Sequence, residues 1–490
     1  MKFGWLSAAA IGAMAQITSF AASAADLPPA PNYVKAPVAA VIYNWTGFYV
    51  GGNIGYSAAS DRGTNTYLFP DGTPFASETM TQAPTGAVGG GQAGVNWQSG
   101  HLVVGLEGDW QASDERDSIC VQTCTAKIGQ LNLGVSISQR IDWLATLRAR
   151  AGYADGGFLW YVTGGGAWGG VKSNDVGLDG PLQFPASFSH TLGGWTVGAG
   201  VEAALGGNWT AKLEYLYVDL GSTTDSFIAS HFNNVETVHA GVHDNLVRAG
   251  VNYRFGDTPA PAAPLYVKAP VGSTSWSGFY VGGNAGYGFG RETGNEIFPF
   301  SFMGINGVFS AQSFSLAPGG AAAGLQAGYN WQSGNWVVGL EGDWNWTHQT
   351  DLISISGGTP ATNVNKDGLT IAPALQWLAT FRARLGYSHD TWLWYVTGGG
   401  AWGNLGDADS VSLNPITAPA NFSHTLGGWT LGVGVEKDLG SHWSARLEYL
   451  YIDLGHTTDA ISITNVITLT DTVNQHVTDN LVRAGLNYRF

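Results

Sequence analysis

The stretch WTGFYVGGNIGY, from Trp45 to Tyr56, decides the fold, and the chain repeats it as WSGFYVGGNAGY from Trp276 to Tyr287. Apolar side chains alternate with small or polar ones along it. One face of the first copy carries Phe48, Val50, Ile54 and Tyr56. A period of two is typical of a β-strand with two different surroundings, so each copy predicts the start of a sheet.

The repetition extends over the whole chain. The positions that recur with a displacement of 234 are Trp97, Trp143, Trp160, Trp195, Trp209 and Asp219, which become Trp331, Trp377, Trp394, Trp429, Trp443 and Asp453. The displacement is 231 at Trp45 and 235 at Phe255, so length changes fall between Tyr56 and Trp97 and between Asp219 and Arg248. We predict loops in those two intervals, because loops tolerate insertion.

Composition narrows the class of protein. Only 12% of the 490 residues are charged, whereas Gly, Trp, Tyr and Phe together number 131. The predicted mature chain has no apolar run of the roughly 18 residues that a spanning helix needs, which leaves a soluble all-β protein or a membrane β-barrel. The net charge of −15 argues against nucleic acid as a partner.

The N-terminus predicts export. Lys2 precedes an Ala-rich apolar stretch that ends in the small-residue site Ala22-Ser23-Ala24, so we interpret residues 1–24 as a signal peptide. We interpret residues 25–44 as a Pro-rich periplasmic leader and the Pro/Ala-rich residues 256–275 as a linker. Cys120 and Cys124 are predicted to form a local disulfide, since no set of four metal ligands accompanies them; we expect no metal and no cofactor.

Eight strands are predicted in the first repeat, residues 45–255, and eight in the second, residues 276–490. In the first they lie near Phe48 to Ser57, Gly89 to Gln98, Leu102 to Ala112, Ile141 to Ala154, Phe158 to Gly169, Leu192 to Ala204, Trp209 to Leu220 and Asn245 to Phe255. Tight turns are expected at Ser99-Gly100, Asp155-Gly156 and Gly206-Gly207. Long loops are expected over residues 58–88, 113–140, 170–191 and 221–244. Short turns at one end and long loops at the other are typical of outer-membrane barrels.

Aromatic residues at the strand ends favour a barrel over a soluble sandwich, because interfacial girdles need amphipathic rings. They are Trp45, Phe48, Tyr56, Trp97, Trp110, Trp143, Trp160, Trp209, Tyr215 and Tyr217. The repeats end in VNYRF and LNYRF, so that Tyr488 and Phe490 close the chain. A terminal aromatic of this kind resembles the assembly signal of outer-membrane barrels.

WTGFYVGGNIGY, WYVTGGGAWG, LEYLYVDLG and the terminal NYRF resemble the small outer-membrane β-barrel family of alphaproteobacteria, the opacity-like and OmpA-like porin-family proteins. The resemblance covers both repeats. It implies eight strands per copy, both chain ends in the periplasm, and roles in envelope structure, as a surface antigen or, in some members, in haemin binding or weak pore activity. The chain departs from the family in its duplication.

Strand parity predicts a charged lumen. The inward residues of the first repeat are Glu107, Asp109, Glu202 and Glu214 with Arg148, Arg150, Lys212, Arg248 and Arg254. Those of the second are Glu341, Asp343, Glu436 and Glu448 with Arg382, Arg384, Arg446, Arg483 and Arg489. We favour structural pairing of these charges, because unpaired buried charge is costly; the alternative is the lining of an ion path. The acidic excess, at Asp114, Glu115 and Asp117 among others, is expected in solvated loops.

Signals for catalysis are weak. GGGAWG, at Gly164 to Gly169, matches a phosphate-binding pattern but lies in a strand with no helix after it. We interpret its glycines as positions that let the strand bend or let girdle aromatics pack on the backbone. Ser189-His190 and Ser423-His424 raise the alternatives of hydrolysis or haem ligation, yet no orienting carboxylate follows at a recognisable spacing. We expect no enzyme.

The fold class is therefore all-β: two tandem eight-stranded, antiparallel up-and-down transmembrane barrels, with one fused 16-stranded barrel as the alternative. We expect a structural, surface-exposed protein of the bacterial outer membrane with at most a narrow pore. The alternatives are a passive porin for small solutes and, more distantly, a haem-binding or adhesin protein. Outer-membrane lipid, lipopolysaccharide and the assembly machinery are the expected partners.

Overall fold

A computed structural model of the chain consists of antiparallel strands. The structure describes residues 43–122, 133–179, 182–228, 233–255, 275–302, 305–357, 367–413, 416–464 and 468–490. Among these residues no helix is long and apolar enough to cross a membrane. The predicted signal peptide and most of the predicted leader and linker lie outside the described residues and stay predictions.

The first repeat closes into an eight-stranded barrel. Its strands are β1 (Gly47–Leu68), β2 (Pro74–Gln82), β3 (Thr85–Ser99), β4 (Leu102–Gln122), β5 (Leu133–Asp155), β6 (Phe158–Asp179), β7 (Leu182–Gly206), β8 (Trp209–Ile228) and β9 (Val235–Phe255). Each strand from β3 to β8 pairs with the next along the chain. β1 pairs with β3 on one side and with β9 on the other, from Phe48–Phe255 to Leu68–Val235. β2 is an additional strand that extends the hairpin from β1.

The second repeat closes separately in the same way. Its strands are β10 (Gly278–Phe302), β11 (Ile305–Leu316), β12 (Gly319–Ser333), β13 (Trp336–Thr350), β14 (Ile353–Gly357), β15 (Asp367–Ile371), β16 (Pro373–His389), β17 (Trp392–Leu413), β18 (Ile416–Gly440), β19 (Trp443–Thr464) and β20 (Thr468–Arg489). β20 pairs with β10, and not with β1 of the first repeat. The prediction of two eight-stranded barrels is confirmed, because eight strands of each repeat form a ring in which the last strand pairs with the first; in the second repeat they are β10, β12, β13 and β16 to β20. The 16-stranded alternative does not hold for these rings. At the far ends of the strands the repeats do join, since β2 pairs with β14 and β4 with β11.

The tight turns lie where the sequence predicted them, and the long loops do not. Gly100, Gly156 and Gly207 have φ near +60°, a conformation that glycine adopts without strain. The predicted loop 170–191 is mostly strand, because β6 and β7 continue to pair up to Asp179 and Leu182. Apolar residues packed inside these hairpin arms, among them Tyr67, Ile137 and Phe227, sustain the pairing far beyond the predicted ends.

Each barrel therefore has a turn end and an extended end. Between them runs an outward band of exposed apolar side chains that is bounded by Trp and Tyr. On β6 the band runs from Trp160 to Trp168, nine residues, which matches the ~9–11 residues that a tilted strand needs to cross a bilayer. We define the spanning segment by this band and call the strand portions beyond it the extension.

Two glycines show why this sequence can build so narrow a barrel. A Cβ on Gly94 would lie 2.3 Å from the Tyr49 hydroxyl, so the glycine makes room for a ring inside the lumen. A Cβ on Gly166 would lie 2.9 Å from the Trp168 ring, so the ring packs flat on the backbone. The second case supports the interpretation of GGGAWG as a strand segment on which a girdle aromatic rests.

The two barrels contact each other through equivalent residues near their turn ends. Phe158 and Trp392 occupy matching positions in the repeats and stack at 3.9 Å between ring centroids. Trp394 and Trp160, which also match, approach Phe158 and Trp392 at 5.7 and 5.1 Å respectively. Val201 and Val435 pack beside them. This aromatic cluster joins the outer walls of the barrels.

The extended ends meet with the same symmetry. Thr81 of β2 pairs with Ser315 of β11, and these residues also match between the repeats. The Asp117 carboxylate accepts hydrogen bonds from Ser315 at 3.0 Å and from Arg291 at 2.8 Å. Its counterpart Asp351 accepts from Thr81 at 3.4 Å and from Arg62. Reciprocal contacts of this kind are those of an isologous dimer, built here within one chain.

Candidate functional site

A layer of paired charges fills the lumen of the first barrel within the spanning segment. The Arg148 guanidinium lies 2.5 Å from Glu107, 2.8 Å from Asp109 and 3.0 Å from Glu214. The remaining contacts are Lys212–Glu107 at 2.7 Å, Arg248–Asp109 at 2.9 Å, Arg248–Glu214 at 2.7 Å and Arg150–Glu202 at 3.0 Å. These side chains are at most 2% exposed, so four cations and four carboxylates form a neutral, buried cluster.

The second barrel repeats the layer position by position. Arg382 lies 2.6 Å from Glu341, 2.8 Å from Asp343 and 3.0 Å from Glu448. The remaining contacts are Arg446–Glu341 at 2.5 Å, Arg483–Asp343 at 3.0 Å, Arg483–Glu448 at 2.6 Å and Arg384–Glu436 at 2.8 Å. An arginine replaces Lys212, and the count of four against four is kept. The two sites therefore carry the same charge.

Tyrosine hydroxyls from the walls complete both layers. Tyr49 donates to Glu107 at 2.7 Å, and Tyr161 donates to Glu214 at 2.9 Å. In the second barrel Tyr280 and Tyr395 donate to the matching glutamates. These donors supply the further hydrogen bonds that buried ion pairs need to offset the loss of hydration.

Two of the predicted lumen residues lie elsewhere. Arg254 donates to the carbonyls of Asn44 and Thr46 and covers the ring of Tyr43 at 4.8 Å, at the turn-end mouth. Arg489 pairs with Asp438 at the same mouth of the second barrel. They follow the inward parity but lie beyond the charged layer, because each is the second-to-last residue of its repeat.

The turn-end mouth of each barrel is plugged by the tryptophan that opens its repeat. Trp45 is 0% exposed and packs with Val103, Leu159 and Tyr161. Trp276 is equally buried in the second barrel, among Val337 and its neighbours. The interpretation of Trp45 as a girdle residue was wrong, because it precedes the first strand and turns into the lumen rather than out to lipid.

A layer of apolar side chains closes the lumen on the other side of the charges. In the first barrel it contains the buried side chains of Leu144, Leu216 and Leu246. In the second barrel Leu378, Leu450 and Leu481 occupy the matching positions. A packed apolar layer offers an ion no partner for its lost water, so the charged layer is sealed on both sides.

Beyond the apolar layer, the extension buries further carboxylates, and among the described residues of the first repeat no Lys or Arg is buried with them. Burial raises the pKa of Asp61 to about 7 despite a hydrogen bond from Gln139, and it raises the pKa of Asp175 to about 6. Burial and the nearby Glu78 raise the pKa of Glu236 well above its ordinary value. Glu115 and Asp117 are also buried, so their interpretation as solvated loop charges was wrong. Asp114 is exposed, as expected.

The histidines do have orienting carboxylates, contrary to the spacing argument. His190 lies 2.9 Å from Asp225, and His424 contacts the matching Asp459. Ser189 is exposed, whereas His190 is half-buried, because neighbouring residues of a strand point to opposite faces. The serine and the histidine therefore cannot act on one another, and the geometry does not form a Ser-His-Asp triad.

The remaining predictions concern the terminal aromatic residues, the disulfide and metal binding. Phe490 is exposed on the outer wall, and Tyr488 packs edge-to-face on Trp443 at 5.3 Å. Cys120 lies at the end of β4, but Cys124 is outside the described residues, so their disulfide stays a prediction. Within the described ranges, no group of three or more His, Cys, Asp or Glu side chains is placed to hold a metal ion.

Comparison with known proteins agrees with this architecture. The family described as "Outer membrane protein beta-barrel domain" matches residues 13–255 and again residues 259–490. A 31 kDa outer-membrane immunogenic protein of Brucella melitensis biotype 1 is 35% identical over 241 residues, 48% of this chain and 95% of that protein. A 22 kDa outer membrane protein of Rhizobium leguminosarum bv. viciae is 32% identical over 212 residues, 43% of this chain and 79% of that protein.

Among solved structures, the Pseudomonas putida toluene transporter TodX aligns with 88% of this chain and 89% of its own, at 10% identity and a TM-score of 0.23. That score is too low to bear on the arrangement of these strands. The family match, in contrast, covers both repeats, and the relatives are outer-membrane proteins. The chain therefore belongs to the outer membrane protein β-barrel family, as a tandem duplication located in the outer membrane.

Proposed function

We propose that this protein is a non-conducting, non-catalytic component of the outer membrane, which anchors two extended ends in the bilayer and displays them at the cell surface. The observation that carries the proposal is the sequence of three layers in each lumen: a buried tryptophan, a neutral layer of paired charges and an apolar layer. Side chains that fill an eight-stranded barrel leave it a packed core and not a pore.

The orientation is part of the proposal. Outer-membrane barrels have short periplasmic turns and longer extracellular connections, so the turn end faces the periplasm and the extended end faces outward. Both chain ends then lie in the periplasm. That several relatives are named immunogenic proteins supports surface display of the extended end.

The porin alternative is disfavoured by the same layers. A passive channel needs a continuous water path, whereas the charged groups here form ion pairs with one another at 2.5–3.0 Å. The apolar layer next to the charged layer also interrupts any continuous chain of water molecules through the lumen. The tandem arrangement does not change this conclusion, because each barrel closes on its own strands within the spanning segment.

The test is single-channel conductance in planar bilayers, combined with solute-swelling rates in liposomes. We expect near-silence for the full chain. A variant with Trp45, Arg148 and Leu216 all replaced by alanine removes one residue from each layer of the first barrel and serves as the positive control. Its folding is checked by the shift in gel mobility between unheated and heated samples. A conductance of the intact chain at the level of general porins would overturn the proposal.

Assembly is proposed to depend on the terminal aromatic. Phe490 ends the second repeat as Phe255 ends the first, and both rings are exposed on the outer wall. If the assembly machinery reads the aromatic residue of the second repeat, Phe490→Ala reduces the amount of folded protein in the outer membrane far more than Phe255→Ala does. Equal losses in the two variants would show that the rings serve only as membrane anchors.

A further inference from the structure

Three basic side chains stand in a row on the outer wall of the first barrel, in its extension. Arg116 of β4 is the direct cross-strand partner of Arg140 of β5, and Arg140 is the direct partner of Lys172 of β6. Their side chains are 70%, 52% and 46% exposed. Like charges directly opposite one another destabilise a sheet, so a row of three needs an external reason.

Acidic neighbours compensate the row only in part. Asp114 lies 2.9 Å from Arg116. Asp142 bridges the other two residues, at 2.5 Å from Arg140 and 2.7 Å from Lys172. Three cations and two carboxylates leave a net positive charge on the wall of a chain whose formal charge is −15. The exposed guanidinium and ammonium groups keep donors free for a further anion.

The height of the row in the membrane identifies the anion. Trp143 pairs with Gly170 in the last aromatic row of the spanning band, and the Arg140–Lys172 pair is the next outward-facing row on these two strands. A tryptophan belt lies at headgroup level, so the row stands where the charged groups of the leaflet begin. The groups at this height in a bacterial outer leaflet are the phosphates of lipopolysaccharide.

The second repeat lacks the row at the same ladder positions. Thr350 pairs with Ala374, and Ala374 pairs with Gly406, in place of the three basic residues. His348 and Gln376 stand where Asp114 and Asp142 stand in the first repeat. Cations and compensating acids are thus absent together, although the lumen charges of the two repeats agree throughout. The row is a property of one barrel and not of the fold.

We propose that Arg116, Arg140 and Lys172 bind the phosphate groups of lipopolysaccharide and so fix one bound lipid beside the first barrel. Planar guanidinium groups suit bidentate contact with phosphate oxygens, and the ammonium of Lys172 adds a point charge at the end of the row. The hydroxyls of Thr85 and Ser189, the next cross-strand neighbours on either side, extend the polar strip. The inference rests on the outward orientation given under the proposed function.

The experiment compares binding by the purified full chain in detergent, with phosphorylated lipopolysaccharide, dephosphorylated lipopolysaccharide, phosphatidylglycerol and inorganic phosphate as separate probes. The substitutions Arg116→Thr, Arg140→Ala and Lys172→Ser, made together, give the first barrel a wall like that of the second. They are expected to weaken binding of phosphorylated lipopolysaccharide by about tenfold or more, since each basic residue near an anionic surface contributes to attraction. Arg254→Gln, a charge loss at the opposite end of the barrel, is the control and should change nothing.

A second variant covers the case in which the triple variant fails to fold. Asp142→Asn removes the acid that competes for Arg140 and Lys172, so it should strengthen binding of the same probe. Unchanged affinity in both variants would overturn the proposal. Equal binding of phosphatidylglycerol or of inorganic phosphate by the intact row would overturn the assignment to lipopolysaccharide.

Orientation is tested separately on whole cells. Asp71, an exposed residue of the β1–β2 connection, is replaced by cysteine and treated with a membrane-impermeant maleimide, with the unsubstituted chain as the background. Labelling supports the outward orientation. If the maleimide does not label this variant, while the purified chain still binds lipopolysaccharide through the three basic residues, the proposed orientation is wrong and the binding site stands. If the maleimide labels the variant but the three basic residues do not bind lipopolysaccharide, the binding inference is wrong and the proposed orientation stands.

Discussion

The spanning lumen and the extension of the first barrel treat buried carboxylates in opposite ways. In the spanning lumen each of four carboxylates contacts an inward Arg or Lys from the same barrel. In the extension, Asp61, Asp175 and Glu236 are buried with amide or hydroxyl partners. The described part of the first repeat has no buried Lys or Arg outside the spanning lumen. Where the surroundings are lipid, the barrel neutralises charge by pairing; beyond the bilayer it can do so by protonation.

Removing one cation from the spanning lumen should have the largest effect. Arg148→Met leaves three carboxylates short of a partner, and breaking a buried pair typically costs about 3–5 kcal/mol. Arg382→Met should cost a similar amount in the second barrel, because its contacts match. The free energy of unfolding from urea titration in micelles measures both. Arg116→Met, which breaks an exposed pair, is the control; a loss as large as that of Arg148→Met would contradict the distinction between the two environments.

The extension should respond to pH in the direction opposite to ordinary acid denaturation. Its carboxyls have pKa values raised above those of the unfolded chain, so the folded extension binds protons that the unfolded one does not. Its stability is lowest above about pH 7 and rises as the pH falls toward the ordinary carboxyl range. Hydrogen exchange of the β1 amides beyond Tyr56, corrected for the intrinsic rate, should slow over that window.

Asp61→Asn separates this effect from general changes in charge. The amide has nearly the same shape and stays neutral, so the variant should exchange more slowly than the unsubstituted chain at pH 8 and lose much of the pH dependence. Asp114→Asn, a change at an exposed carboxylate, is the control. A variant at Asp61 that kept the full pH dependence would show that this carboxyl is not the titrating group.

The sequence predicted the charged layer of the spanning lumen, but it did not predict the apolar layer and the buried tryptophan that seal it. Alternation predicted Arg148 and Glu214 to face inward, and the same parity places Leu144 and Leu216 inward above them, but the predicted lumen contained charged residues alone. The burial of Trp45 had no such signal, because it precedes the strand and its direction depends on the closed mouth. The length of the extension was missed as well, since it rests on packing between hairpin arms rather than on a clean alternation.

The sequence also could not predict which cation pairs with Asp117, since Arg291 comes from the other repeat. Arg291→Gln removes this contact and the hydrogen bond to the Ala83 carbonyl, and it should weaken the association of the barrels by about 1–2 kcal/mol. Insertion of a protease site between residues 256 and 275 lets the folded barrels be separated after cleavage. Co-migration in mild detergent then measures their association. Arg62→Gln, at a more exposed side chain, should have a smaller effect.

The smallest effect is expected at the turn ends, where an ion pair joins the barrels without a counterpart in the symmetry. Lys437 contacts Asp155, whereas the matching positions hold Ala203 and His389. Both side chains are partly exposed, and pairs of this kind contribute about 0–1 kcal/mol. Lys437→Ala should therefore leave co-migration of the cleaved barrels nearly unchanged, while Trp392→Ala, in the adjacent aromatic cluster, should weaken it measurably. If Lys437→Ala weakened it as much as Trp392→Ala does, charge rather than ring packing would hold the turn ends together.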